Sequence, residues 1–249
     1  MKFTQLLGLA LLSTYMFSSS VLAGGSSITY SVNQQDYEGY YIDAGTDTPL
    51  VLLLHDWDGL TDYEIKRAQM LKDEGYSVFA ADLFGKGVRP TEVKDKRQHT
   101  GELYKDRTKM RALMKGALKQ AIEMGGNREN TVAMGYCFGG AAILELARSG
   151  EKLKGFATFH GGLGTPEGQN YSKVSAPILI MHGTADTAIP MSQFADLATK
   201  LEAEKVAHEM VTYSGAPHAF TVYGSKRYHK EADEKSWALF SQFLKQKTK

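Results

Sequence analysis

Apolar residues along this chain fall into two rhythms. Short apolar or β-branched runs occupy residues 50–54, 76–81, 130–133, 153–159, 176–181 and 207–213. The most continuous of them, Leu50-Val51-Leu52-Leu53-Leu54, reads as a strand covered on both faces. Between these runs the spacing changes to three and four. Ile65, Ala68, Gln69 and Leu71 mark a helix over residues 62–73, and Met110, Leu113, Met114, Ala117, Leu118 and Ile122 mark a long one over residues 103–124. Gly75 and Gly125-Gly126 stand where these two helices should stop. Further helices are expected over residues 192–203 and 231–245, the last burying Trp237, Phe240 and Phe243. Residues 28–41 alternate loosely, with Tyr30, Tyr37, Tyr40 and Tyr41, and predict an antiparallel pair turning near residues 33–36. Residues 86–100 are charged and irregular, and read as a surface excursion.

Strands that alternate with helices predict a mostly parallel central sheet with helices on both faces. The chain shows no internal repeat, and its 249 residues, 43% hydrophobic, suit one α/β domain over residues 24–249. A formal net charge of +1 gives no basis for a nucleic-acid partner or a polybasic membrane contact. The first 23 residues read differently. Lys2 is followed by an apolar stretch, then Ser18-Ser19-Ser20 and Val21-Leu22-Ala23, the layout of a cleaved export signal. The stretch is short for a bilayer span, so no stable membrane anchor is expected, and the location is periplasmic or secreted. In an oxidising compartment a single cysteine, Cys137, has no internal partner. Such a thiol is buried and inert, or it is used.

The surroundings of Cys137 favour use. The run at residues 130–133 leads into Gly135-Tyr136-Cys137-Phe138-Gly139-Gly140, and a small-residue helix follows. Strand, Gly-x-Cys-x-Gly, helix is the pattern of a nucleophile elbow with cysteine in place of serine. In parallel sheets ligands bind beyond the carboxyl ends of the strands. Asp186 and His218 also follow expected strands, so both should reach the same edge as Cys137. The order nucleophile, acid, histidine is that of the α/β-hydrolase fold. In that arrangement His218 takes the thiol proton and Asp186 fixes the imidazole. The backbone N–H groups of Phe138 and of Trp57, in the loop after residues 50–54, would form the oxyanion hole. His160-Gly161-Gly162 looks like a lipase oxyanion string but lies after the elbow, and reads as a tight strand-end turn. His55, Asp56 and Asp58 bring no zinc-type spacing with them, so neither a metal nor a cofactor is expected.

These motifs, with Gly183-x-x-Asp186 and Gly215-Ala216-Pro217-His218-Ala219-Phe220, resemble the dienelactone hydrolase family of the α/β-hydrolases over about residues 50–244. The resemblance implies a monomeric Cys-His-Asp hydrolase that cleaves a small-molecule ester or lactone through a thioacyl-enzyme. A thioesterase or peptidase with the same triad, or a non-catalytic binding protein on the same fold, are the competing readings. Two departures stand out. Where the family has Gln-Glu-x-x-Gly, with the glutamate against the resting thiol, this chain has His55-Asp56-Trp57-Asp58-Gly59, which makes Asp56 a shorter auxiliary acid. Where the founding enzymes hold a substrate carboxylate with two arginines, this chain has Lys86 and Val222. A lysine is a point charge rather than a fork. Lys86, Arg89 and Arg227 are therefore the candidate contacts for an anionic substrate, and dienelactone itself is expected to be a poor one.

Overall fold

The structure is a computed structural model and describes residues 24–248, so the expected export signal lies outside the described residues. In chain order the elements are β1 (Ser26–Val32), β2 (Gln35–Ile42), β3 (Pro49–Leu54), α1 (Asp62–Asp73), β4 (Ser77–Ala81), α2 (Val93–Lys105) and α3 (Arg107–Glu123). They continue as β5 (Asn127–Tyr136), α4 (Phe138–Arg148), β6 (Gly155–Phe159), β7 (Ile178–Gly183), α5 (Met191–Ala203), β8 (His208–Tyr213) and α6 (Lys230–Lys247). The eight strands form one sheet in the order β1-β2-β4-β3-β5-β6-β7-β8. Strands β3 to β8 run parallel, and the β1–β2 hairpin is antiparallel at one edge. Asn33 and Gln34 turn that hairpin with φ of 51° and 65°, the left-handed pair that a tight two-residue turn requires.

Alternation along the strands sends side chains to two separate cores. Leu50, Leu52 and Leu54 join the cluster that packs α3, α4 and α5, with Ala133, Ile178 and Ile180 beside them. Val51 and Leu53 point the other way, with Val132, Met134, Leu179 and Met181, into the cluster covered by α1 and α6. The sheet is therefore apolar on both faces. That explains why its central strands are continuous apolar runs in the sequence. The same arrangement brings the carboxyl ends of β5, β7 and β8 to one edge.

The stretch before β5 departs from expectation. Residues 93–105 are helical rather than irregular, and the long helix is two helices parted at Asp106. Asp106 has φ −110° and ψ 80°, outside the helical region. Its carboxylate accepts from the Lys109 N–H at 2.8 Å and so starts α3 while α2 ends. Asp106→Ala is expected to lower stability by about 1 kcal/mol. A urea midpoint unchanged from the parent would contradict this reading of the break.

Candidate active site

Cys137 stands between β5 and α4 with φ 50° and ψ −110°, a conformation that strains any residue with a Cβ. Its neighbours explain how the turn closes. A Cβ on Gly135 would strike the backbone of Gly139, and one on Gly139 would lie 2.5 Å from the carbonyl oxygens of Leu54 and His55. Only glycine lets the first turn of α4 rest on the ends of β3 and β5. The Cys137 N–H donates to the Phe159 carbonyl at 3.1 Å, and its carbonyl accepts from the Ala141 N–H at 3.2 Å. Both sides of the strained residue are thereby anchored, and the sulfur faces a cavity of about 480 Å³.

His218 and Asp186 come to the sulfur on two loops stitched to each other. Ala185 N–H donates to the Ala216 carbonyl at 3.1 Å, and Gly215 N–H donates to Thr184 Oγ1 at 2.9 Å. A Cβ on Gly183 would strike the Ala216 carbonyl, so the two loops touch backbone to backbone. His218 Nε2 lies 3.0 Å from Cys137 Sγ, and His218 Nδ1 lies 2.8 Å from Asp186 Oδ2. The other Asp186 oxygen accepts from the N–H groups of Ala188 and Ile189 at 2.9 and 2.8 Å. Burial would raise the Asp186 carboxyl, but His218 and these amides outweigh it and hold it below the usual carboxylate range. Burial likewise opposes charge on His218. Hydrogen bonds to Asp186 and Cys137, with their charges, prevail and push the imidazole up to about 10. The ring is thereby held between the Asp186 carboxylate and the Cys137 sulfur.

Behind His218 lies a buried polar network that no local sequence signal announced. His160 Nε2 is 2.8 Å from Thr221 Oγ1, which is 2.6 Å from the Tyr63 hydroxyl. The His160 ring packs edge-on to His218 with centroids 5.4 Å apart. Arg67 donates to the Thr221 carbonyl at 2.9 Å and pairs with Asp233, joining the His218 loop to α1 and α6. Its guanidinium lies 4.5 Å from the Tyr223 ring centroid and 5.1 Å from that of Trp237. His160, at the turn expected before Gly161-Gly162, has φ 41°, and Gly162 forms part of the cavity wall.

Trp57 and Phe138 also line the cavity. Phe138 opens α4, so its N–H is one of the donors a helix start leaves without an intrahelical acceptor. Asp56 is on the wall too, but not where the resemblance implied. Among the described residues Cys137 Sγ has one hydrogen-bond partner, His218, and Asp56 Oδ1 accepts from the Asp58 N–H at 2.8 Å. The missing methylene leaves the shorter acid closing its own turn. Burial pushes Asp56 up to about 6. His55 is structural: burial pushes it down to about 4, its Nδ1 lies 2.6 Å from the Asp56 carbonyl, and its Nε2 accepts from the Leu83 N–H at 3.1 Å. It ties the loop after β3 to the loop after β4.

Of the three cations expected to contact substrate, only Arg227 lines the cavity. The other two are corrected. Asp82 accepts from the N–H groups of Phe84 and Gly85 and turns the chain toward the β1–β2 hairpin. Lys86 is then exposed, with Nζ 3.0 Å from Thr29 Oγ1, and Arg89 bonds the carbonyls of Val88 and Glu38. Lys96, Arg97 and Tyr104, all on α2, line the cavity instead. Arg97 and Tyr104, seven residues apart, lie two turns apart on one face of the helix, and Lys96 flanks it. That periodicity was available in the sequence, but the face is too polar to show as an apolar stripe. Lys96 pairs with Asp58 at 2.7 Å and lies 5.4 Å from the Trp57 ring centroid, bracing the loop after β3.

An eight-stranded, mostly parallel sheet with a cysteine elbow and a histidine beyond β8 defines an α/β-hydrolase. The sequence profile of the dienelactone hydrolase family matches residues 38–248, and the chain belongs to that family of hydrolases. A protein of Escherichia coli (strain K12), provisionally named carboxymethylenebutenolidase, is 23% identical over 91% of this chain and 88% of its own. The solved structure named m3DLH superposes with a TM-score of 0.84 at 27% identity, over 90% of this chain and 98% of that one. A dienelactone hydrolase-like promiscuous phosphotriesterase from metagenomic libraries shares the fold with a TM-score of 0.84 at 24% identity, over 90% and 98% of the two chains.

A buried carboxyl pair supports the loop after β3. Glu64 is fully buried and accepts from the Asp56 N–H at 3.4 Å and from the Thr61 N–H and hydroxyl at 2.9 Å each. Burial and the charge of Asp56 push Glu64 up to about 8, above its ordinary 4.5. A carboxyl raised on folding favours the folded state fully below its ordinary value, and that contribution is lost as pH rises toward 8. The melting-temperature advantage of the parent over Glu64→Gln should therefore shrink between pH 5 and pH 8. An advantage that stays constant or grows would contradict the raised carboxyl.

Proposed function

We propose that the chain hydrolyses small carboxylic esters or lactones, with Cys137 as nucleophile, His218 as base and acid, and Asp186 as the group that orients the imidazole. The observation that carries this reading is the hydrogen-bonded line from Cys137 Sγ through His218 to Asp186, ending at a cavity able to hold a small molecule. His218 Nε2 takes the thiol proton, and the sulfur attacks the carbonyl carbon. The N–H groups of Trp57 and Phe138 receive the oxyanion that forms. Collapse breaks the carbon–oxygen bond of the ester, and His218 returns its proton to the departing alkoxide. From a lactone that alkoxide stays attached to the acyl group. Water, deprotonated by His218, then attacks the thioester, and Cys137 leaves as the thiol. Activated esters suit a sulfur nucleophile better than amides do. An export signal at residues 1–23 would put this hydrolysis in the periplasm or outside the cell.

The test is turnover of 4-nitrophenyl acetate with mass spectrometry of the acylated protein. The parent should show an acyl adduct on the peptide containing Cys137, and Cys137→Ala should lose both adduct and turnover. Asp186→Asn should reduce kcat by roughly 10⁴-fold, because the imidazole loses its fixed tautomer. Full turnover by Cys137→Ala would overturn the proposal.

A further inference from the structure

A second cavity, of about 270 Å³, adjoins the one at Cys137, and Tyr104, Gly162 and Ile189 belong to the walls of both. Its wall also includes Ala141 and Arg148 of α4. These two are seven residues apart, so the cavity follows that helix for two turns, about 10 Å, away from the elbow. Arg107 completes the charged part of its lining.

The charges along this wall are out of balance. Three guanidinium groups, those of Arg107, Arg111 and Arg148, converge on one buried carboxylate, Glu145. Two of them are well held. Arg148 donates to Glu145 Oε2 at 2.9 Å, to Gln169 Oε1 at 2.8 Å and to the Tyr171 hydroxyl at 2.8 Å. Arg111 Nε donates to Glu145 Oε1 at 2.6 Å, and Gln169 donates to the same oxygen at 3.1 Å. Arg107 is left over. Among the described residues its polar contacts are Glu145 Oε2 at 3.6 Å and Met110 Sδ at 4.0 Å. Its guanidinium lies 4.7 Å from the centroid of the Tyr104 ring, which holds the planar group at the junction of the two cavities. A half-buried guanidinium with unused donors, in a wall of surplus positive charge, is a receptor for a planar or tetrahedral oxyanion.

We propose that Arg107 anchors a second subsite, which holds a carboxylate or phosphate at the far end of an elongated ester whose carbonyl lies at Cys137. This rests on the hydrolase reading above. It adds that the preferred substrates carry their anion in the second cavity, past Tyr104, rather than beside the scissile bond.

The experiment compares 4-nitrophenyl monoesters of dicarboxylic acids of increasing chain length with neutral, methyl-capped esters of equal length. The parent should favour the long charged ester by about ten-fold in kcat/KM, the size of one charge-assisted hydrogen bond, expressed in KM. Short charged esters should show no such preference. Arg107→Gln should collapse the charged-to-neutral ratio for long esters toward unity, and Arg107→Lys should keep part of it. Equal kcat/KM for charged and neutral long esters, or a preference that survives Arg107→Gln, overturns the subsite while the hydrolase reading stands. Calorimetry with a free long-chain dicarboxylate and with inorganic phosphate separates the opposite case. If no ester is turned over, the hydrolase reading fails. Dicarboxylate or phosphate binding that Arg107→Gln weakens then supports the subsite, and absence of binding overturns it.

Discussion

The site depends on one backbone constraint, the strained conformation of Cys137 where β5 becomes α4. A turn this sharp survives only if its surroundings over-determine it. Here the amide of Cys137 is held by β6 and its carbonyl by α4, while three glycines let the helix press against the strand ends. Gly140 belongs with Gly135 and Gly139, because a Cβ there would strike Thr158 Oγ1 and the backbone of Gly161. This packing fixes the backbone from which the sulfur projects, and His218 Nε2 meets it at 3.0 Å.

A second level of order comes from polar groups buried in an otherwise apolar interior. His55, His160, His182 and Arg67 are all buried, and each holds a loop at the carboxyl edge of the sheet. His182, for example, has Nε2 3.0 Å from the Ile189 carbonyl and so closes the Asp186 loop. Buried polar groups are costly without partners, so each such contact selects one loop arrangement over its alternatives. Apolar contacts build the sheet and its two cores. Directional contacts place the three loops that carry Cys137, Asp186 and His218.

Much of this was legible in the sequence, for physical reasons that differ between regions. Strands covered on both faces announce themselves as apolar runs, and residues 50–54 did so unmistakably. The elbow was legible because steric demands of glycine leave a fixed spacing. The helix over residues 93–105 was not, because its buried face is small and its cavity face carries Lys96, Arg97 and Tyr104. A position-by-position match to relatives also misplaced Lys86. The turn at Asp82 sends that residue to the hairpin side, and the cavity takes its cations from α2 and from the segment carrying Arg227. The Glu145 cluster draws Arg107 and Arg111 from α3 and Gln169 from a loop, so beyond the i,i+3 pair with Arg148 no local spacing marks it.

The central claim is that the imidazole of His218 acts on the thiol of Cys137. The most direct test is the rate of iodoacetamide alkylation at Cys137 at neutral pH, measured for the folded parent and for His218→Ala. The account predicts rapid labelling of the parent and a slowing of at least ten-fold in the variant, with the two rates converging at high pH, where the thiol ionises without help. Equal alkylation rates in the two proteins would contradict it.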